Sequence, residues 1–255
     1  MYSLLKSLYF YRELLWNLVI RNLKIRYKNS ALGFLWTLLN PLFLIFIYYF
    51  FIRLMRFQMN LAELLSGVIP WHFLSMTLGD SVETISGNST LVTKIRFPRI
   101  ILPLSTVLAN LVNYLLSLAV LILCLPLLQG GISVYLFWLL PLLPLQFIFV
   151  LGLSLIVSTC NVYFKDTGHL LSVAMMAWFF LTPIIYPLTQ IPVAFRDLAF
   201  LNPMTSLVCL YRLAFLQVPL HFNVWILSSG IILFLVFFLG YRLFSHFEPI
   251  FADEL

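Results

Sequence analysis

The feature that most constrains this chain is its succession of uncharged apolar runs, each about as long as a bilayer crossing. Gly33 to Ile52 holds no charged side chain at all. About 20 apolar residues in a helix suffice to cross the ~30 Å hydrocarbon core. The runs are continuous, not alternating, so the spacing predicts helices and not the strands of a barrel. Only 9% of the residues are charged and 62% are hydrophobic, whereas a soluble domain carries about 25% charged residues. Lipid is then the solvent for most of the chain, and in lipid every backbone N–H and C=O must be satisfied internally. The expected fold is all-α: a polytopic membrane protein of six transmembrane helices in a single transmembrane domain over residues 1–255.

Residues 3–28 read as an amphipathic helix lying on the membrane, within an interfacial segment 1–29. Glu13, Asn17, Arg21, Lys24 and Lys28 recur as a polar stripe, and Leu4, Leu8, Tyr11, Leu15 and Leu18 as an apolar one. That spacing suits a surface helix with basic residues on its wet face. Arg21, Lys24, Arg26 and Lys28 cluster at its end. Such cations attract anionic headgroups by about 1 kcal/mol each. Topology anchoring and a ligand role both stay open for them. Met1 to Arg12 mixes Lys6 and Arg12 into apolar residues, so no signal peptide is expected.

The six spans fall within residues 33–244: Gly33 to Ile52, Leu61 to about Glu83, Ile100 to Leu125, Tyr135 to Cys160, Leu170 to Tyr186, and Asn223 to Phe244. The second is the least hydrophobic, holding Glu63, His72, Asp80 and Glu83. Asp80 faces either the inner surface or a partner or cavity. His72 reads as a packed or pore-facing imidazole, because no second ligand lies at metal spacing; no metal site is expected. Asn110 and Asn113 share a helix face, for helix–helix hydrogen bonding or for substrate contact. Before the sixth span, Pro183, Pro187, Pro192 and Pro203 break up an apolar segment, Leu188 to Phe222. Within it Ala194 to Phe200 and Thr205 to Leu216 read as short helices dipping into the outer leaflet. Residues 245–255 form an acidic tail.

Between spans two and three lies a joint, Gly87 to Pro103. It concentrates Lys94, Arg96 and Arg99 between apolar runs, and Pro98 and Pro103 forbid one helix through it. A push delivered from outside the bilayer would act here. Placing the N-terminus inside puts eleven of the 15 Lys and Arg on the cytoplasmic side, with Arg53, Arg56, Arg196 and Arg212 opposite. Both termini are then expected in the cytoplasm. The net charge of +6 is accounted for by topology, and no nucleic-acid partner is expected. Three cysteines, Cys124, Cys160 and Cys209, suggest neither a metal site nor a disulfide framework.

No P-loop, nucleophile elbow or zinc-binding motif occurs, so the chain is not expected to be an enzyme. Aromatic residues make up 17% of the chain. They serve as lipid-facing groups and interfacial belts, or as flat apolar faces along a path for sugars. Trp71, Phe73, Trp178, Phe179, Phe180 and Tyr186 are the candidates for such a path.

Arg26-Tyr27, Ser30, Leu32-Gly33, Trp36 and Asn40-Pro41 resemble the approach to span one in type-2 ABC exporter permeases. Ile69-Pro70-Trp71, Lys94-x-x-Phe97-Pro98-Arg99 and Leu102-Pro103 resemble the following span and joint. Asn161-x-x-Phe164-Lys165-Asp166, Thr182-Pro183-Ile184-x-Tyr186 and Leu201-Asn202-Pro203-Met204 resemble the later marks, with Lys165 where Arg is expected. The order of the motifs is more specific than any one of them, and it is most similar to the polysaccharide exporters: O-antigen and teichoic-acid permeases, with capsule permeases more distant. The resemblance implies a homodimer in the bacterial inner membrane, bound to two copies of a separate ABC ATPase. ATP and Mg would belong to that partner, and this chain would carry no cofactor. Lys94, Ile95, Arg96, Phe97, Pro98 and Arg99 would receive the ATPase stroke. Leu188 to Phe222 would be the gate near the periplasm. The substrate would be a polysaccharide on a polyprenyl pyrophosphate, whose charge suits Arg21, Lys24, Arg26 and Lys28. A permease for a small lipid or drug, and a membrane-embedded enzyme of glycan assembly, are the competing expectations.

Overall fold

The computed structural model describes residues 6, 9–26, 30, 32–55, 59–95, 97–129, 131, 133–217 and 224–254. Lys28 and Arg96 lie outside them. Eleven α-helices of the described residues organise the chain: α1 (Arg12–Arg26), α2 (Trp36–Met55), α3 (Leu61–Val82), α4 (Ser89–Lys94), α5 (Ile101–Gln129), α6 (Leu139–Tyr163), α7 (Thr167–Leu181), α8 (Val193–Ala199), α9 (Pro203–Leu216), α10 (Val224–Phe247) and α11 (Phe251–Glu254).

Local chemistry sets the ends. Asn60 caps α3 by accepting from the Glu63 N–H at 2.7 Å. Asn202 caps α9 with Pro203 at its first position. Gln217 closes α9 in the left-handed region at φ 58°. Pro98 falls in the break between α4 and α5, while Pro103 sits in the first turn of α5, where no backbone donor is lost. α7 stops at Leu181, two residues before Pro183, and not at Tyr186 as the hydropathy suggests.

Among the described residues, four helical stretches are long and apolar enough to cross a membrane: Leu61–Val82, Ile101–Leu128, Val134–Tyr163 and Ser228–Glu254. Leu39–Leu54 and Thr167–Leu181 are apolar but shorter, and α8 and α9 form a pair bent by 99°. The chain is thus a multi-pass helical membrane protein. The two short helices expected at Ala194 to Phe200 and Thr205 to Leu216 are present as that bent pair.

α3 is the hub. It packs against α2, α5, α6, α7 and α9. Its apolar window is 78% buried, against 17% for the span that ends the chain. The least hydrophobic span is the most enclosed because protein, not lipid, surrounds its polar groups. Gln146 of α6 makes the central polar knot. Its Nε2 donates to the Pro70 carbonyl at 2.8 Å, and its Oε1 accepts from Tyr114 OH at 3.0 Å and Tyr211 OH at 2.6 Å. Four helices are joined by one fully buried side chain.

The tightest helix contact is α6 on α10. A Cβ on Gly152 would stand 2.6 Å from Phe237 Cα, and one on Gly240 would strike the Gly152 carbonyl. Glycine is required at both positions by the backbone approach. Ser154, fully buried on α6, bonds the Ser81 hydroxyl of α3.

Leu18 and Val19 are buried, and α1 packs on α5. Glu13, Asn17 and Lys24 of its polar stripe are exposed, while Arg21 donates to Asn88 Oδ1 at 2.8 Å and Asn22 to Ser105 Oγ at 3.2 Å. Trp16, Tyr9 and Phe10 are exposed as well. The hydroxyl and amide partners on α5 and the Ser86–Asn88 turn draw Arg21 and Asn22 inward.

Candidate functional site

Three segments meet at one end of the bundle. The first is the joint. A 3-10 turn, Ser86–Asn88, leads into the short α4, and Ile95 then turns extended. Val92 is buried and anchors α4. Lys94 is exposed and Ile95 is 53% exposed, which offers a cation beside an apolar tip. Phe97 packs against the core and Pro98 is half-buried.

The second segment is the loop after α6. Asn161 Nδ2 donates to Ser86 Oγ at 3.1 Å and so ties this loop to the turn before α4. Phe164 is 69% exposed there, beside the exposed Lys165 and Asp166. The third is the tail. α11 packs on both α4 and α6. Phe251 is fully buried against Phe244, with ring centroids 5.3 Å apart. Arg99 is pinned by the tail: its N–H donates to Glu248 Oε1 at 2.7 Å and its guanidinium to the Glu248 carbonyl. Of the predicted joint residues, Lys94 and Ile95 are therefore outward, while Phe97 and Arg99 hold the joint to the body. The tail contact had no sequence signal beyond a lone Glu after an apolar span.

The described members of the basic cluster differ in their engagement. Arg26 forms an ion pair with Asp80, whose carboxylate also accepts from Asn110 Nδ2 at 2.8 Å. Arg21 engages Asn88, and Lys24 is exposed.

The aromatic candidates divide likewise. Trp71 meets Trp178 and Phe179 edge-on at centroid distances of 5.9 and 5.6 Å. Phe180 packs against Phe179 at 5.5 Å, and Tyr186 OH donates to the Phe180 carbonyl at 2.9 Å. These five line or adjoin a cleft of about 960 Å³ between α3 and α7, which Ser75, Ser172, Asp80 and Glu83 also line. Flat rings beside hydroxyls and carboxylates suit an extended polar chain with apolar ring faces. Phe73 stands elsewhere, stacked on Tyr114 at 4.7 Å.

At the opposite end, the bent pair is fastened to the end of α7. Asn202 Oδ1 accepts from Trp178 Nε1 at 2.9 Å, and its Nδ2 donates to Thr182 Oγ1 at 2.8 Å. Arg212, 4% exposed, donates to the Ile184 carbonyl at 3.0 Å and lies 3.9 Å from Glu63 Oε1. Arg212, counted among the outer cations and falling within the expected helix Thr205 to Leu216, sits inside α9 and satisfies a carbonyl freed by the break at Pro183.

A helical membrane bundle with an exposed, broken joint at one end and a bent, latched helix pair at the other is the frame of a transport subunit. The chain belongs to the ABC-2 type transporter family, whose pattern matches residues 13–216. It is 39% identical over 224 residues to the O-antigen export system permease protein RfbA of Myxococcus xanthus, covering 85% of each chain. It is 34% identical over 241 residues to the protein of that name in Klebsiella pneumoniae, covering 92% of each. Polysialic acid transport protein KpsM of Escherichia coli is 27% identical over 210 residues, with 76% of this chain and 78% of that protein covered.

Proposed function

We propose that this chain is the membrane subunit of an ATP-driven exporter for an O-antigen-like polysaccharide carried on polyprenyl pyrophosphate. It works as a homodimer in the inner membrane, with both termini cytoplasmic and two copies of a separate ABC ATPase bound. In this reading α2 and α7 complete six crossings with their flanking residues. The chain itself does no bond-making chemistry, and ATP and Mg act on the partner.

The observation that carries the reading is the convergence of Lys94, Ile95, Phe164, Lys165 and Asp166 on one end of the bundle. Exposed apolar tips ringed by charges suit a protein partner that must stay in register while it moves. The similarity to O-antigen permeases supports a glycan cargo. The cleft of Trp71, Phe179 and Phe180 is where its sugar rings would pass, with Trp178 and Tyr186 behind. Lys24 and Lys28 would draw in the pyrophosphate from the membrane surface, with Arg21 and Arg26 adding positive potential behind them without entering the contact. The bent pair would gate the far end.

The test is co-purification of the tagged chain with the products of its neighbouring genes, followed by ATP hydrolysis and glycan export. An ATPase should come down in equal amount, and Lys94→Ala combined with Ile95→Asp should detach or uncouple it. A chain that purifies without any ATPase, or exports normally with the double variant, would overturn the reading.

A further inference from the structure

Two cavities flank the cleft assigned to the glycan, and the charged one shares Asp80 and Glu83 with it. One, of about 570 Å³, opens between α2, α3 and α5, with apolar walls from Phe43, Ile47, Tyr48, Ile69 and Phe73. The other, of about 560 Å³, lies between α1, the end of α3 and the start of α5, and Arg21, Arg26, Asp80 and Glu83 line it. The two adjoin, because Arg26, Asn110 and Asn113 line both. Each falls in the ~300–1,000 Å³ range of small-ligand sites. A charged chamber opening into an apolar slot has the polarity profile of an amphiphile.

Polar atoms at the junction lack partners. Both amide atoms of Asn113 are buried without a hydrogen bond among the described residues, and so is Arg21 Nε. A buried amide left unpaired is unfavourable, so a ligand that pairs it gains affinity. Asn110 and Arg26 are engaged with Asp80. Glu83 is exposed and forms neither of the two ion pairs seen among the described residues. The chamber therefore carries two guanidinium groups and two carboxylates. A polyanion would be repelled by Asp80 and Glu83, whereas a zwitterion meets both signs.

We infer that the joined cavities hold one zwitterionic phospholipid of the phosphatidylethanolamine type in each subunit. Its phosphate lies toward Arg21 and the Asn113 amide, its ammonium toward Glu83, and an acyl chain in the apolar slot. This lipid is a resident of the fold and not the cargo. The inference stands on the cavities and holds whatever the protein carries.

The experiment begins with the full-length chain purified with its partners, its retained lipids counted by mass spectrometry. The delipidated protein is then titrated separately with phosphatidylethanolamine, phosphatidylglycerol and a polyprenyl diphosphate, and native mass spectrometry reads the binding. Retention of one phosphatidylethanolamine per subunit is expected. It should bind about tenfold tighter than phosphatidylglycerol, and Asn113→Leu should weaken it by about tenfold, equivalent to ~1.4 kcal/mol. Unfolding of the lipid-free variant should match that of the lipid-free parent. If Asn113→Leu does not fold, Met76→Trp fills the slot from another wall and should give the same loss. Equal binding of both phospholipids, tighter binding of the diphosphate, or unchanged retention in the folded variants would each overturn the proposal.

Discussion

Arg99 and Glu248 stand 149 positions apart, yet the Arg99 N–H donates to the Glu248 carboxylate at 2.7 Å. The approach to α5 is thus held by the turn that follows α10. The joint is anchored at one end by Val92 in the core and at the other by this clasp, leaving Lys94 and Ile95 free between them.

Glu248→Ala should loosen the joint without removing any residue that would touch the ATPase. A charge-assisted bond of this kind contributes about 1.5–3 kcal/mol. Thermal unfolding should fall, and ATP hydrolysis should persist while export drops. A paired assay of hydrolysis and export checks both.

Gly152→Ala should force α6 and α10 apart, since its Cβ would meet Phe237 Cα at 2.6 Å. Overpacking of this sort costs about 1–3 kcal/mol. Gly230→Ala, on α10 with nothing within 4 Å of its Cβ, should be neutral or slightly stabilising. Unfolding curves in one detergent compare the two directly.

Gln146→Leu should be the most damaging isosteric change in the bundle. It leaves the Tyr114 and Tyr211 hydroxyls and the Pro70 carbonyl without their Gln146 partner. Each buried orphan costs about 1–3 kcal/mol. Yield of folded protein and resistance to proteolysis should both fall sharply, and more than for Gln146→Glu, which keeps the acceptor.

Arg212→Gln should weaken the opposite end selectively. The Ile184 carbonyl loses its donor and Glu63 its counter-charge. A loss of about 1–3 kcal/mol is expected, with accelerated cleavage or labelling between Pro187 and Phe200. Arg212→Lys should recover part of it, because the charge returns without the two-pronged guanidinium geometry.

The apolar runs placed all the long helices, and the prolines placed the breaks in the joint and before the bent pair, because both signals are local. Span five was drawn too long: Ile184 and Tyr186 are as apolar as a helix requires, but the backbone has already turned at Pro183. The partners of polar groups were beyond one-dimensional reading. Nothing in the spacing of Gln146, Arg212 or Glu248 says which helix each will meet. Glu13, Asn17 and Lys24 of the polar stripe of α1 do face outward, and only the positions of Asn88, Ser105 and Asp80 turn Arg21, Asn22 and Arg26 inward. Among the aromatics, Trp71 and Phe73 are two positions apart on α3 and so diverge to different neighbours, Phe179 and Tyr114.

Asn202 grips Trp178 and Thr182 at once. The bent pair cannot slide past the end of α7 unless two side-chain bonds break. With its 15 residues rising 1.5 Å each, α7 is a rod of about 22 Å. It begins beside the Phe164 loop and finishes at that grip. In the proposed transport cycle, force applied near Phe164 would arrive at the far end as displacement of this helix. Opening would then be geared to the stroke: the distance the rod travels would set how wide the far end parts.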